Sequence, residues 1–115
     1  MRRGEIRWVE LDPACGAEAN KRRPAVIVSN DGANPTANRL GRGVLTVVPV
    51  TTDTGRVHPF QVLLSADATG LPRDSKARAE QVRSVAVERI GALVGTLSAA
   101  DLAALDEALR LHLAL

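Results

Sequence analysis

Up to Leu97, every apolar stretch of this chain is short, and each is shut off by a proline, a glycine or a cluster of small polar residues. Runs of roughly four to eight β-branched and aliphatic residues between such breakers read as strands, because a helix needs a longer uninterrupted pattern. The rhythm changes only past Ser98. There Leu102, Leu105, Leu109 and Leu113 recur at the spacing of one helix face, with Asp106, Glu107 and Arg110 off the stripe. Ser98 is a favourable N-cap, and Asp101 three residues later resembles a capping box. Several short strands followed by one helix predict a β-rich α+β domain, a small barrel-like sheet packed on a terminal helix. The 115 residues make one domain, long enough to form a core without disulfide or metal.

Strands are expected within residues 4–13, 24–30, 44–51, 60–65, 76–82 and 92–97. Pro24 opens the second, where its missing N–H does least harm, and Pro49 marks an edge or a bulge near the end of the third. The near-continuous apolar run "VLTVVPVT" predicts burial on both faces. The alanines of "KARAEQV" would also suit a helix. Residues 14–23, 31–43, 52–59 and 66–75 read as loops and turns, the second of these with room for a short helix, and 83–91 as a crossover.

Composition narrows the function. Trp8 and Phe60 are the only aromatic residues of the Phe, Trp and Tyr kind, too few for an ordinary base-stacking platform, so nucleic-acid binding would lean on charge and polar contacts. A single cysteine, Cys15, excludes an internal disulfide and a Cys-rich zinc site and fits a reducing cytoplasm. The opening "MRRGEIRWVE" has no apolar signal-peptide region, and no run approaches the length of a membrane span. A soluble cytoplasmic protein without a membrane partner is therefore expected. Charge is uneven. Residues 84–115 carry Arg89 and Arg110 against Glu88, Asp101, Asp106 and Glu107, a net −2, which leaves +4 of the overall +2 on residues 1–83. Such asymmetry suggests an anionic partner, though a solvated surface gives the same count.

No phosphate-binding Walker loop, G-x-S-x-G elbow or H-E-x-x-H helix occurs. His58 and His112 have no cysteine or carboxylate at ligand spacing, so no metal site is expected at them, and no motif calls for a cofactor. His112 reads as structural or exposed, and His58 as a solvated loop histidine, although it could touch a substrate. Three features remain. In "KRRPAVIVSN", Pro24 biases Arg23 toward an extended backbone, which would aim a planar guanidinium fork suited to phosphate. Thr51 and Thr52 end the third strand in "VPVTT", where a hydroxyl can donate to a phosphate oxygen or satisfy its own backbone. Glu18 in the first long loop is a carboxylate able to serve as base, or to pair with Lys21 or Arg22.

Taken together, "RGEIRWVELDPACGAEANKRRPAVIVSND", "VVPVTTDTGRVHPFQVLLS", "AEQVRSVAVERI" and "LSAADLAALDEALRLHLAL" resemble, in order and over almost the whole chain, the MazF/PemK (Kid) toxins. The resemblance implies a compact SH3-like β-barrel with a C-terminal helix, working as a homodimer. It implies a metal-independent endoribonuclease that cuts single-stranded RNA to leave a 2′,3′-cyclic phosphate and a 5′-hydroxyl, held in check by a cognate MazE-like antitoxin. By the same resemblance Arg23 and Thr51 are catalytic, and Glu18 is a candidate base. Gln81 and Ser84 are polar residues near the cleft. Lys21, Arg22, Thr52, His58 and Arg83 join them as candidate RNA contacts, Lys21 and Arg22 as backbone steering. Cys15 would sit in the active-site loop. Two other functions remain possible on these residues: a CcdB-like poison of a protein target, whose Trp-Gly-Ile tail is missing from the ending "HLAL", and a basic module that binds nucleic acid without cutting it.

Overall fold

The computed structural model describes residues 1–11, 21–31 and 43–115. Glu18 and Cys15 lie outside the described residues, as does the short helix allowed for between residues 31 and 43. The elements are β1 (Glu5–Glu10), β2 (Arg22–Ile27), β3 (Val44–Thr51), β4 (Gln61–Leu64), α1 (Ala66–Thr69), β5 (Ser75–Arg78), β6 (Arg83–Ala86), β7 (Ile90–Thr96) and α2 (Ala99–Leu113). Among the described residues every strand pairing is antiparallel, in the order β4–β5–β3–β2–β1–β7, with β6 also on β3. The end strands β4 and β7 do not pair with each other, so the expected SH3-like barrel is open rather than closed.

β3 organises the fold. Along one side it pairs β6 from Val44 to Val47 and then β5 from Val50 to Thr51, while its other side holds β2. Pro49 falls in the gap where partners change, a place that asks for no ladder N–H. β2 starts at Arg22, two residues before the predicted start. Pro24 is accommodated inside it because the β2–β3 ladder begins only at Ala25.

Alternation then builds two cores, one on each face, as the long apolar run of β3 requires. Leu45 and Val47 join Val9, Leu11, Ala25, Ile27, Val85 and Val87. Val48 and Val50 join Ile6, Val26, Leu64 and Ala77 under the helix residues Leu105 and Ala108. Ser98 caps α2 as predicted, its hydroxyl accepting the Asp101 N–H at 3.1 Å. The leucine stripe ends a turn early. Leu102 and Leu109 pack on the core and Leu105 is fully buried, but Leu113 is exposed with Leu111 and Leu115.

Three further expectations change. The strand predicted over residues 76–82 stops at Arg78 and turns through a 3₁₀ segment, Ala79–Gln81, where the Ala79 N–H bonds the Phe60 carbonyl. The supposed crossover over residues 83–91 is strand β6, a 3₁₀ turn and the first residues of β7, because pairing with β3 and β1 outweighs its weak local pattern. The turn over residues 66–75 contains the single-turn helix α1 and ends in β5.

Candidate active site

Strand register gathers the candidates. Arg23 is opposite Val9 on β1. The β2–β3 register, Ala25↔Pro49, carried two residues beyond the end of the ladder, sets Arg23 opposite Thr51 on the same face. Thr51 is in turn opposite Lys76, and Lys76 opposite Leu63. Thr51, Lys76 and Leu63 thus form a row across three strands, and Arg23 stands on the neighbouring strand just beyond the last β2–β3 ladder pair. The Thr51 hydroxyl accepts the Asp53 N–H at 3.2 Å, and its own proton is not engaged among the described residues. It can hold its loop and still donate to an anion, so the two readings of this threonine are compatible.

Arg83 faces the same side as Arg23, opposite Val47, and its guanidinium reaches the Leu11 carbonyl at 3.1 Å, next to the start of β2. Arg22 lies 5.3 Å from the Trp8 ring centroid, a cation–π contact that orients an exposed cation. Lys21 is exposed and left-handed, with φ 64, immediately before β2. Alternation separates others: Thr52 is exposed past the end of β3, and Ser84 is exposed and turned away from the face of Arg83. Gln81 ends the 3₁₀ turn, half-buried. Neither Ser84 nor Thr52 stands with Arg23 and Thr51.

On the other side of Thr51 opens a cavity of about 630 Å³ between the β3–β4 loop, β5 and the end of α2. Lys76, Arg78, Glu80 and Arg56 line it with His58 and His112. Lys76 is only 7 % exposed, and its ammonium donates to the Arg56 carbonyl at 2.5 Å. Gln61 bridges the wall, donating to Glu80 at 2.6 Å and accepting the His58 N–H at 3.0 Å. The His58 and Phe60 rings stack with centroids 5.2 Å apart and planes 7° from parallel, and His112 lies 6.4 Å beyond Phe60. The sequence reading missed Lys76, Arg78 and Glu80, and it missed the part His112 plays. The alternation Lys-Ala-Arg-Ala was the available signal, since it puts two cations on one strand face. Among the described residues no three His, Cys, Asp or Glu side chains converge to hold a metal ion. No helix among them is long and apolar enough to cross a membrane.

Residues 2–113 match the family described as the PemK-like, MazF-like toxin of type II toxin–antitoxin systems. The chain belongs to that family. Endoribonuclease MazF9 of Mycobacterium tuberculosis is 67 % identical over 113 residues, spanning 98 % of this chain and 96 % of the relative. Among solved structures, the M. tuberculosis toxin MazF-mt6 superposes with a TM-score of 0.78 at 26 % identity, covering 96 % of this chain and 97 % of that one. A mycobacterial endoribonuclease solved with its cognate antitoxin shares the fold, with a TM-score of 0.77 at 21 % identity over 100 % of this chain and 96 % of that one. In this PemK-like, MazF-like toxin the cavity beyond Thr51 is lined mostly by residues of the stretches that carry the resemblance, with Lys76 and Arg78 added from β5.

Proposed function

We infer that this endoribonuclease toxin cuts single-stranded RNA with the RNA's own 2′-hydroxyl as nucleophile. The 2′-oxygen bonds to the adjacent phosphorus, the bond from phosphorus to the 5′-oxygen breaks, and the leaving oxygen takes up a proton. The products are a 2′,3′-cyclic phosphate and a 5′-hydroxyl, and no metal is needed. The Arg23 guanidinium neutralises charge developing on the phosphoryl oxygens, which is the safer role for a group whose pKa is roughly 12.5–13.8. Thr51 donates to a non-bridging oxygen. Glu18 is the candidate for taking the 2′-hydroxyl proton. Arg83 and Arg22 steer the backbone, together with Lys21. What supports this reading is that Arg23 and Thr51 stand at the ends of neighbouring strands β2 and β3 in a member of this toxin family.

The partners follow. A cognate MazE-like antitoxin with an acidic, partly disordered tail would occupy the same basic groove and block it. The toxin works as a homodimer in the cytoplasm, which would cover open sheet edges and the exposed leucines Leu63, Leu93, Leu111 and Leu113.

The decisive test is single-turnover cleavage in EDTA. Arg23→Lys keeps the charge and loses the planar fork, and Thr51→Ala loses the donor. Each is expected to fold normally and to cut at least tenfold more slowly, within the roughly 10²–10³ loss typical of one such donor. RNA with a 2′-deoxy sugar at the cut is expected to bind and stay whole. Its cleavage, or near-normal turnover by both variants, removes Arg23 and Thr51 from the chemistry.

A further inference from the structure

The connection between β3 and β4, residues 52–60, has little to pack against. No residue of it belongs to either core, and Thr52, Asp53, Gly55, Arg56 and Val57 are exposed. Such a segment keeps one shape only if its backbone polar groups are tied down. Here they are. The Thr51 hydroxyl accepts the Asp53 N–H at 3.2 Å, and the Asp53 carboxylate accepts the Gly55 N–H at 3.3 Å, one side-chain turn following another. Farther along, the buried Gln61 amide accepts the His58 N–H at 3.0 Å and is itself held to Glu80 at 2.6 Å. Between these, at Arg56, the tie is Lys76, whose ammonium donates to the carbonyl at 2.5 Å. Lys76 is 7 % exposed and has counter-charges, Asp53 and Glu80, in the same cavity. Its bond goes instead to a neutral carbonyl of the loop. Ordering so long a side chain costs rotamer entropy, and a lysine with nothing to hold would keep its head in water. Lys76 stands on β5 directly opposite Thr51, so it ties the loop to a third strand beside that threonine.

We propose that Lys76 is a positioning residue for cleavage: by holding the Arg56 carbonyl it fixes the β3–β4 loop, and the Asp53 N–H of that loop in turn fixes the Thr51 hydroxyl. This rests on the reading of Thr51 as a donor to a phosphoryl oxygen. A hydroxyl has one proton to donate and two lone pairs. While one lone pair takes the Asp53 N–H, the rotamer of Thr51 is set and its proton is left for the substrate. With the loop loose, the hydroxyl turns freely and the donor is misplaced. Misplacing a group by about 1 Å costs on the order of 10²-fold in rate. Lys76 needs no contact with RNA to act in this way, and no bond forms or breaks at it.

A double-mutant cycle on the whole toxin tests this series of contacts. Single-turnover cleavage in EDTA at saturating RNA reads the rate, and an oligonucleotide with a 2′-deoxy sugar at the cut reads affinity. Lys76→Met keeps the apolar stem and loses the donor. It is expected to slow cleavage about tenfold while changing affinity less than about threefold. Lys76→Arg, which keeps a donor, should recover most of the rate. In the Thr51→Ala background there is no hydroxyl to position, so Lys76→Met should slow cleavage further by less than about twofold. An equal loss in both backgrounds makes Lys76 independent of Thr51 and overturns the proposal. So does a loss confined to affinity, which would make Lys76 an RNA contact. If Lys76→Met does not fold, Lys76→Gln, one bond shorter than lysine, takes its place in the same cycle. The exposed Asp53 supplies a second arm. Asp53→Ala drops the Gly55 bond and should slow cleavage only where Thr51 is present, while Asp53→Asn keeps an acceptor and should restore the rate. Additive effects of Asp53→Ala and Thr51→Ala also overturn the proposal. A slow Thr51→Ala with an additive Lys76→Met removes the positioning role alone. Thr51→Ala cutting at the wild-type rate removes the reading beneath it.

Discussion

Glu5 shows how a single side chain is set by its neighbours. Burial disfavours its ionised form, but the hydrogen bond from Arg7 at 2.9 Å, the Arg2 backbone and the nearby positive charges outweigh that and lower its pKa from the ordinary 4.5. Arg7 also donates to the Gly91 carbonyl at 3.1 Å, so this pair ties β1 to β7. A carboxyl with a depressed folded pKa stabilises the protein above its unfolded pKa and stops doing so as the pH falls through the folded value. Wild type should therefore be more stable than Glu5→Gln at pH 7, and the gap should close as the pH drops below about 4.5 toward the folded pKa. Thermal melts of the two proteins at pH 7 and pH 3 check this, and a gap that stays constant with pH would assign the effect to packing. At this scale the sequence was partly legible. Arg23 and Thr51 announce themselves through the neighbouring Pro24 and the strand-ending pair of threonines. Lys76 does not, because a lysine on a predicted strand looks like any solvated cation until the strand opposite is known.

Between elements, the tightest fit is where α1 meets β7. A Cβ on Gly95 would come within 1.7 Å of the Thr69 carbonyl oxygen, which is backbone and cannot step aside. Gly70 ends α1 in a left-handed turn, with φ 83, against the Val94 carbonyl. Gly95→Ala must push the whole turn off the strand and is expected to cost at least the roughly 1–3 kcal/mol of an overpacked core. A urea titration measures it, and a loss below about 0.5 kcal/mol would mean that the α1 turn moves freely. Leu105, on the core face of α2, is fully buried, and Leu105→Ala should cost about 2–5 kcal/mol in the same assay. Helix α2 was readable because its cap and leucine spacing are local. β6 was not, because residues 83–86 become a strand only by pairing with the first half of β3, forty residues earlier in the chain.

For the molecule as a whole, the uneven charge seen in the sequence becomes spatial. Arg23 and Arg83 share one face of the sheet, Arg22 stands on the opposite face against Trp8, and Lys76, Arg78 and Arg56 line the cavity beyond Thr51. RNA affinity should fall steeply between low and moderate salt, as phosphate contacts require. Binding indifferent to salt would rule out a groove that tracks the backbone. Light scattering at micromolar concentration is expected to report a dimer, and a pure monomer would leave the exposed leucines of β4, β7 and α2 without a cover.

The antiparallel pairing of β1 with β7, Glu5 beside Thr96, also has a meaning in time. During synthesis the first strand leaves the ribosome long before its outer neighbour exists, and Leu105 and Ala108, which seal one core, emerge later still. An incomplete nascent chain is thus expected to have unmet edges and an open core, short of the fold that cuts RNA. Toxicity should switch on at release, when an antitoxin can already be waiting. A ribosome-bound chain stalled soon after Thr96 should remain sensitive to protease, and the released chain should resist it.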